Sequence, residues 1–183
     1  AEELLAQQAN SKSYKGLSGS QLFNDHMSRN LLGEDSEHLK YMQAVQTVGG
    51  SGALRVLADF IAELAPDATV WNTDPSYINH QPIMESAGLS VKPFRWQEKD
   101  GQLDIDTCFA DLAGACEGDV ILLHGCCHNP TGIDPTPEQW KQFLHFCKTQ
   151  SIVPLIDIAY QGFGLNLEED AQALRLFVSE LDL

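Results

Sequence analysis

Basic residues are scarce in this sequence. Its 183 residues include 11 lysines and arginines against 26 aspartates and glutamates, which gives a formal net charge of −15 at pH 7. A surface of that sign repels nucleic acids and anionic membranes, so we expect neither as a partner. Any anionic ligand must therefore be held by a local arrangement of hydrogen-bond donors.

Long apolar runs and Cys-x-x-Cys motifs are also lacking. No stretch approaches the roughly 20 apolar residues that a membrane helix needs, and the first residues do not have the basic end and apolar core of a secretory signal. The five cysteines form no Cys-x-x-Cys pair, which argues against a disulfide framework or a zinc ribbon. We therefore expect a cytoplasmic protein whose thiols are reduced.

A helix is predicted at each end of the chain. The first has no capping residue before it, and the last has no element after it. Residues 1–8 carry an apolar pair, Leu4 and Leu5, with no capping residue before it, and 171–181 predict a helix whose following element is absent. This pattern favours a piece of a longer protein.

Between these ends, β-type and helical segments alternate. Short apolar runs of strand type lie at 69–72, 91–94, 120–124 and 153–157. Helical patterns lie at 22–32, 54–64, 79–87, 106–115 and 137–150. Thr136, Pro137 and Gln139 predict the start of the last helix, and Pro154 is expected near the start of its strand. The alternation predicts an α/β fold with a mainly parallel sheet between two layers of helices.

Ligands of open parallel sheets gather where strands end, and the first such place here is a glycine-rich turn. After the apolar segment 44–48, Gly50 and Ser51 precede a helix predicted to begin near Ser51. Glycines let backbone N–H groups approach an anion, and a helix N-terminus favours negative charge. The pattern therefore suits a phosphate as well as it suits a plain strand-to-helix turn.

Three further strand ends carry polar or aromatic side chains. Tyr77 follows the turn at Asp74 and could lie over a flat ligand, whereas Asn129 precedes a proline and could present its amide to a fixed point. Asp157 ends a buried strand, with Tyr160 one short turn later. A carboxylate at that place needs a cationic partner. Taken singly, each residue also fits an ordinary packing or turn role.

Four motifs together are far more specific than any one of them. They are Gly-Gly-Ser-Gly-Ala-Leu-Arg at 49–55, Asn-His at 79–80, His-Gly-Cys-Cys-His-Asn-Pro-Thr-Gly at 124–132 and Asp-Ile-Ala-Tyr-Gln-Gly-Phe at 157–163, the last followed by Glu-Glu-Asp at 168–170. In this order and spacing, the chain from about Tyr14 onward resembles the aspartate and aromatic aminotransferases, fold-type I enzymes that use pyridoxal phosphate. The resemblance implies that residues 1–183 are a partial large domain, without the N-terminal small-domain segment and the C-terminal part.

The resemblance also assigns roles to individual residues. Asp157 matches the aspartate that pairs with the pyridine nitrogen, and His80 and His124 match residues that orient it. Asn129 and Tyr160 match residues that hydrogen-bond the cofactor's 3′-oxygen, and the three residues Asp157, Asn129 and Tyr160 are the expected catalytic set.

The phosphate is assigned to the turn and to a second subunit. Gly50 and Ser51 match the phosphate-binding turn, and Tyr14 matches a tyrosine that reaches the phosphate of the neighbouring subunit. The resemblance therefore implies a homodimer with shared active sites.

Two departures from the family pattern stand out. Tyr77 occupies the place of a tryptophan that usually covers the cofactor ring, so stacking is kept over a smaller area. The family's anchor lysine lies in a Ser-x-Ser-Lys motif that this chain does not contain. None of the lysines has a matching context; they are Lys12, Lys15, Lys40, Lys92, Lys99, Lys141 and Lys148. The substrate-binding arginines do not match Arg29, Arg55, Arg95 or Arg175 either.

The missing part has a structural consequence. In the family, two later strands separate the strand before the glycine-rich turn from the rest of the sheet. We therefore expect that residues 44–48 do not pair with 153–157.

Other interpretations remain open at this level. His124, Cys126, Cys127 and His128 suggest a metal or thiol enzyme, although adjacent cysteines seldom chelate one ion, and we expect no metal. The chain alone could also be an inert cofactor-binding or dimerisation fragment, because it lacks the lysine. The family implies aspartate or an aromatic amino acid as amino donor, and a 2-oxo acid such as 2-oxoglutarate as acceptor; the sequence does not choose between the donors.

Overall fold

The computed structural model describes Tyr14 and residues 16–181. The predicted helix at 1–8 and the lysines Lys12 and Lys15 lie outside the described residues. The helices are α1 (Gln21–Leu32), α2 (Gly49–Leu64), α3 (His80–Ser86), α4 (Ile105–Asp111), α5 (Pro137–Gln150) and α6 (Gln172–Glu180). The strands are β1 (Thr69–Asp74), β2 (Ser90–Arg95), β3 (Glu98–Lys99), β4 (Gln102–Leu103), β5 (Val120–His124) and β6 (Val153–Asp157). No helix in the described part is long and apolar enough to cross a membrane.

Four strands form one parallel sheet in the order β2-β1-β5-β6. Neighbours such as β1 and β5 are far apart in the chain, and helices connect them, as parallel strands require. The register of β5 and β6 pairs His124 with Asp157, the last residue of each strand. The side chains of His124 and Asp157 therefore start from the same level of the carboxyl edge.

Alternate residues of the strands face two separate cores. Trp71 and Ile121 belong to a cluster with residues of α4, α5 and α6, whereas Val70 and Val120 pack against residues of α2 and α3. Successive side chains of a strand point to opposite faces, so each face of the sheet is covered by its own helices. The predicted three-layer α/β architecture is confirmed.

Local capping chemistry explains the start of α5. The Thr136 hydroxyl accepts a hydrogen bond from the Gln139 N–H, and the Gln139 side chain accepts one from the Thr136 N–H. A cap of this kind stabilises a helix by about 1 kcal/mol. Pro137 at the first helical position loses no hydrogen bond, because that N–H has no partner within a helix. The predicted capping box is thus confirmed.

Several boundaries differ from the sequence expectation. Helix α2 begins at Gly49, earlier than the predicted start near Ser51 or at 54. Its first turn has no apolar side chain, and its first buried residue is Leu54, so the apolar pattern does not reveal the first turn. The helix predicted at 106–115 is α4 followed by a 3₁₀ turn, Leu112–Gly114. The antiparallel pair β3–β4 was not predicted, because two residues per strand are too few for a pattern.

The segment before the glycine-rich turn is not a strand. Residues 42–47 have no regular structure, and the Gln46 N–H donates to the Ser18 carbonyl. Within the described part, β6 pairs only with β5, so the predicted absence of pairing between 44–48 and 153–157 is confirmed.

Candidate functional site

The carboxyl edge of β5 and β6 forms one wall of a cavity of about 240 Å³. The N-terminus of α2 and the residues that follow β1 and β6 form the other walls. The cavity brings together the predicted contacts Gly50, Ser51, Tyr77, Asn129, Asp157 and Tyr160, with His124 behind them. Residues up to 110 positions apart in the chain therefore meet at the place that the topology of a parallel sheet predicts.

Tyr14 is the one predicted contact that the cavity does not include. Its side chain is 80% exposed and does not line the cavity. The role predicted for Tyr14, a contact with the phosphate of a neighbouring subunit, stays a prediction.

One end of the cavity is the glycine-rich turn, residues 49–51. Gly49 has φ +65°, and a Cβ placed on Gly49 or Gly50 would meet no atom within 4 Å. The glycines are thus not required by packing within the described chain. No side chain caps the start of α2, and Gly50 and Ser51 of its first turn line the cavity. This end can hold an anion.

Asp157 lies across the cavity and is held from behind by a buried histidine. His80 Nε2 lies 2.8 Å from Asp157 Oδ2, and the His80 side chain is fully buried. Because a carboxylate only accepts, the His80 Nε2–H must donate. The other nitrogen, Nδ1, lies 2.9 Å from the Ser76 hydroxyl. Asp157 keeps 24% of its side chain exposed, so one oxygen remains available to a ligand.

His124 connects the same hydrogen-bond network to Asn129. The Asn129 backbone N–H donates to His124 Nδ1 at 3.1 Å, and His124 Nε2 lies 3.4 Å from Ser76 Oγ. Burial, together with repulsion by a charge on His80, lowers the pKa of His124 to about 4, although Asp157 opposes the shift. His124 is therefore neutral at neutral pH, and its Nδ1 can accept.

A third histidine, His128, extends this wall and was not assigned a role from the sequence. Its ring stacks on Trp96 at 4.7 Å between centroids and lies 4.3 Å from the His124 ring. Its two nitrogens lie 3.1 Å from Thr73 Oγ1 and 2.8 Å from Thr131 Oγ1. Burial and the neighbouring histidines lower its pKa to about 3. We call His80, His124 and His128 the histidine wall.

The cationic side chains of the described residues lie elsewhere. No lysine or arginine lines the cavity in the described part of the chain. Arg55, Arg95 and Arg175 form ion pairs with Asp59, Asp111 and Glu168.

The thiol and metal interpretation has no support in the geometry. Burial raises the pKa of the Cys126 thiol to about 12, so it is no nucleophile at neutral pH. The ring nitrogens of His124 and His128 are engaged by the hydroxyl and backbone groups described above. Residues 16–181 contain no group of three or more His, Cys, Asp or Glu side chains that could hold a metal ion.

Comparison with known proteins agrees with this geometry. An aromatic-amino-acid aminotransferase of Pseudomonas aeruginosa is 43% identical over 183 residues, which are 99% of this chain and 46% of that protein. An aspartate aminotransferase of Escherichia coli is 42% identical over 98% of this chain and 46% of its own length.

A solved structure shows the same fold. The aromatic-amino-acid aminotransferase of Burkholderia pseudomallei, covalently bound to pyridoxal phosphate, superposes with a TM-score of 0.92 at 36% identity over 97% of this chain and 45% of that one. The chain spans about half the length of the relatives it matches. Residues 1–182 match the family described as aminotransferase class I and II, and the chain belongs to that family.

Proposed function

We propose that the protein containing this chain is a pyridoxal-phosphate-dependent aminotransferase. It exchanges the amino group between aspartate or an aromatic amino acid and a 2-oxo acid such as 2-oxoglutarate. The observation that carries the proposal is the carboxylate of Asp157, which faces the cavity and is held from behind by His80 at 2.8 Å. The names of its relatives support both kinds of amino donor.

The donors and acceptors of the cavity fit pyridoxal phosphate. Asp157 would accept a hydrogen bond from the protonated ring nitrogen, and the N-terminus of α2 with Ser51 would hold the phosphate. Tyr77 would cover the ring. Within the described residues, the side-chain amide of Asn129 and the hydroxyl of Tyr160 form no hydrogen bond, so both can serve the 3′-oxygen.

Asp157 and His80 determine the protonation of the cofactor's ring nitrogen in this proposal. When bound, the cofactor supplies an electron-accepting ring that takes up electron density as the substrate loses its α-proton. Asp157 keeps a proton at the ring nitrogen, because its negative charge favours the protonated form. His80 donates to the other side of that carboxylate and fixes its orientation, as a supporting hydrogen bond does for a metal ligand.

In this proposal His124 positions Asn129 and takes no part in proton transfer. Its neutral ring accepts the Asn129 N–H and thereby holds the loop that presents the Asn129 amide. Since it stays neutral, it does not compete with the ring nitrogen for the negative charge of Asp157.

Assembly and location are part of the same proposal. We propose a homodimer in which Tyr14 reaches the partner's phosphate, and its exposed side chain supports that role. We also propose a cytoplasmic location, which is supported by the absence of disulfides among the five cysteines.

The alternative for the 183 residues alone is a binding fragment without transaminase activity. It is favoured by the lack of any lysine among the described residues that line the cavity. In that case the chain binds the cofactor reversibly, and the complete protein supplies the covalent anchor.

Titration of the chain with pyridoxal phosphate tests the proposal. We expect saturable binding that Asp157→Ala weakens at least about tenfold, the scale of a lost hydrogen bond to a charged group. Asp67→Ala, which removes an exposed carboxylate, is the matched control and should change nothing. Equal binding by the Asp157 and Asp67 variants would contradict the proposal. Cofactor that stays bound to the chain through gel filtration would contradict the reversible alternative.

A further inference from the structure

We propose that Asp170 is a positioning residue that holds the turn carrying Tyr160 against the cavity. The inference rests on the proposed function and extends it to a residue outside the cavity. Asp170 lies in a short 3₁₀ helix, Glu169–Ala171, and only 5% of it is exposed.

The Asp170 carboxylate binds the turn through three backbone amides. Oδ2 accepts from the Gly162 N–H at 2.8 Å and from the Gly164 N–H at 2.9 Å, while Oδ1 accepts from the Leu165 N–H at 2.8 Å. None of the six ion pairs in the described part includes Asp170. Burial raises its pKa, but the backbone donors outweigh burial and keep the pKa below its usual range. The charge is therefore stabilised by the turn itself.

The three amides belong to a turn that starts at Tyr160. The Phe163 N–H donates to the Tyr160 carbonyl at 3.0 Å, and Gly162 has φ +91°, a conformation that glycine adopts without strain. On the other side of Tyr160, the Gly125 N–H donates to the Asp157 carbonyl at 2.8 Å. Tyr160 is thus fixed between the end of the sheet and the turn bound by Asp170.

Support of helix α6 does not explain these contacts. Asp170 precedes α6, where an acidic side chain often caps a helix, but α6 has no side-chain cap. Both Asp170 oxygens point back to the preceding turn. The segment between β6 and the 3₁₀ helix has no regular structure of its own, and three of its amides have this carboxylate as their acceptor.

Gly164 offers an independent way to disturb the same contact. A Cβ at this position would lie 2.7 Å from Asp170 Oδ1 and 3.2 Å from its Cγ, too close for either group to stay in place. Gly164 does not have a positive φ, so an alanine there would act through this contact and not through backbone strain.

Hydrogen–deuterium exchange of residues 160–166 tests whether Asp170 holds the turn. In Asp170→Asn a neutral amide replaces the charge, and we expect exchange of these residues to become at least about tenfold faster. Gly164→Ala should raise exchange in the same segment. Glu169→Gln, which alters the neighbouring exposed carboxylate, is the control and should leave exchange unchanged. Unchanged exchange in both test variants would overturn the proposal.

Pyridoxal phosphate affinity tests whether the turn acts through Tyr160. Asp170→Asn should weaken binding about fivefold in the otherwise unchanged chain and less than twofold in Tyr160→Phe, because the tyrosine's hydrogen bond is then already lost. A purely structural role would give the same factor in both backgrounds, which would overturn the role in positioning. If the unchanged chain does not bind the cofactor, the proposed function fails, while the exchange result still decides whether Asp170 holds the turn.

Discussion

The histidine wall behind Asp157 and the glycine-rich turn at the other end of the cavity are built in opposite ways. The histidine wall is buried, with 0% to 5% of each residue exposed, and its ring nitrogens have partners within the chain. The glycine-rich turn is exposed, and neither Gly49 nor Gly50 has an atom near its missing Cβ. The hydrogen bonds of the histidine wall therefore form on folding, whereas in the proposed function the donors of the turn find their acceptors only when the phosphate binds. Changes in the wall should alter stability first, and changes in the turn should alter affinity alone.

The largest expected effect of a single substitution is that of His80→Ala. This change removes a fully buried ring and leaves Asp157 Oδ2 without its hydrogen-bond donor. We expect the free energy of unfolding in urea to fall by about 3 kcal/mol. His145→Ala removes an exposed histidine of α5 and should cost less than about 0.5 kcal/mol. Similar losses in the two variants would break the contrast between the wall and the surface.

The second effect is a loss of stability in acid. The pKa of His124 is lowered to about 4 and that of His128 to about 3, from an ordinary value of 6.5. Below pH 6.5 these two histidines bind protons in the unfolded chain but not in the folded chain, so the free energy of unfolding should fall between pH 6.5 and about 3. Each such histidine contributes up to about 1.4 kcal/mol per pH unit.

Replacing one of the two histidines checks this origin. In His128→Asn we expect the pH slope of the unfolding free energy to shrink by about one proton, whereas His145→Asn should leave it unchanged. An unchanged slope in His128→Asn would show that the acid sensitivity arises elsewhere.

Ser51→Ala should have a smaller and different effect. The residue is exposed in the first turn of α2, so the unfolding free energy should change by less than about 0.5 kcal/mol. The affinity for pyridoxal phosphate should fall about threefold, because one donor to the phosphate is lost. Pyridoxal, which has no phosphate, is the control ligand, and its affinity should not change. A loss of affinity for both ligands would contradict the assignment of the turn.

Tyr77→Trp should produce the smallest effect. Tyr77 lines the cavity, and its hydroxyl accepts a hydrogen bond from the Asn79 amide at 2.9 Å. A tryptophan offers more area over the ring, so we expect cofactor affinity to rise about twofold. Weaker binding in a variant with unchanged stability would mean that the Tyr77–Asn79 contact matters more than the area.

The sequence allowed the sheet and the polar groups at its edge to be predicted. Apolar runs reveal strands, and Asp157 and His124 stand directly after such runs, so their place at the carboxyl edge followed from the topology. The position of His128 could not be predicted in this way, because the sequence of a loop motif does not indicate that its histidine is buried beside Trp96. A capping signal predicted the start of α5, whereas the first turn of α2 consists of three glycines and Ser51 and has no side-chain cap.

The burial of Asp170 and its contacts were not predicted for a related reason, although residues 168–170 were part of the family pattern. Asp170 stands in a run of three acidic residues, 168–170, and such a run in a sequence is typical of a solvated surface. Only the folded turn shows that the third of them is buried and bound to backbone amides.

The central claim is that this chain itself contains the group that recognises the ring nitrogen of pyridoxal phosphate. The direct test compares the affinity of the chain for pyridoxal phosphate with that for the analogue in which carbon replaces the ring nitrogen. We predict that the natural cofactor binds at least about tenfold more tightly, as expected for a hydrogen bond to a charged carboxylate. The preference should vanish in Asp157→Ala. Equal affinities of the unchanged chain for the two compounds would contradict the claim.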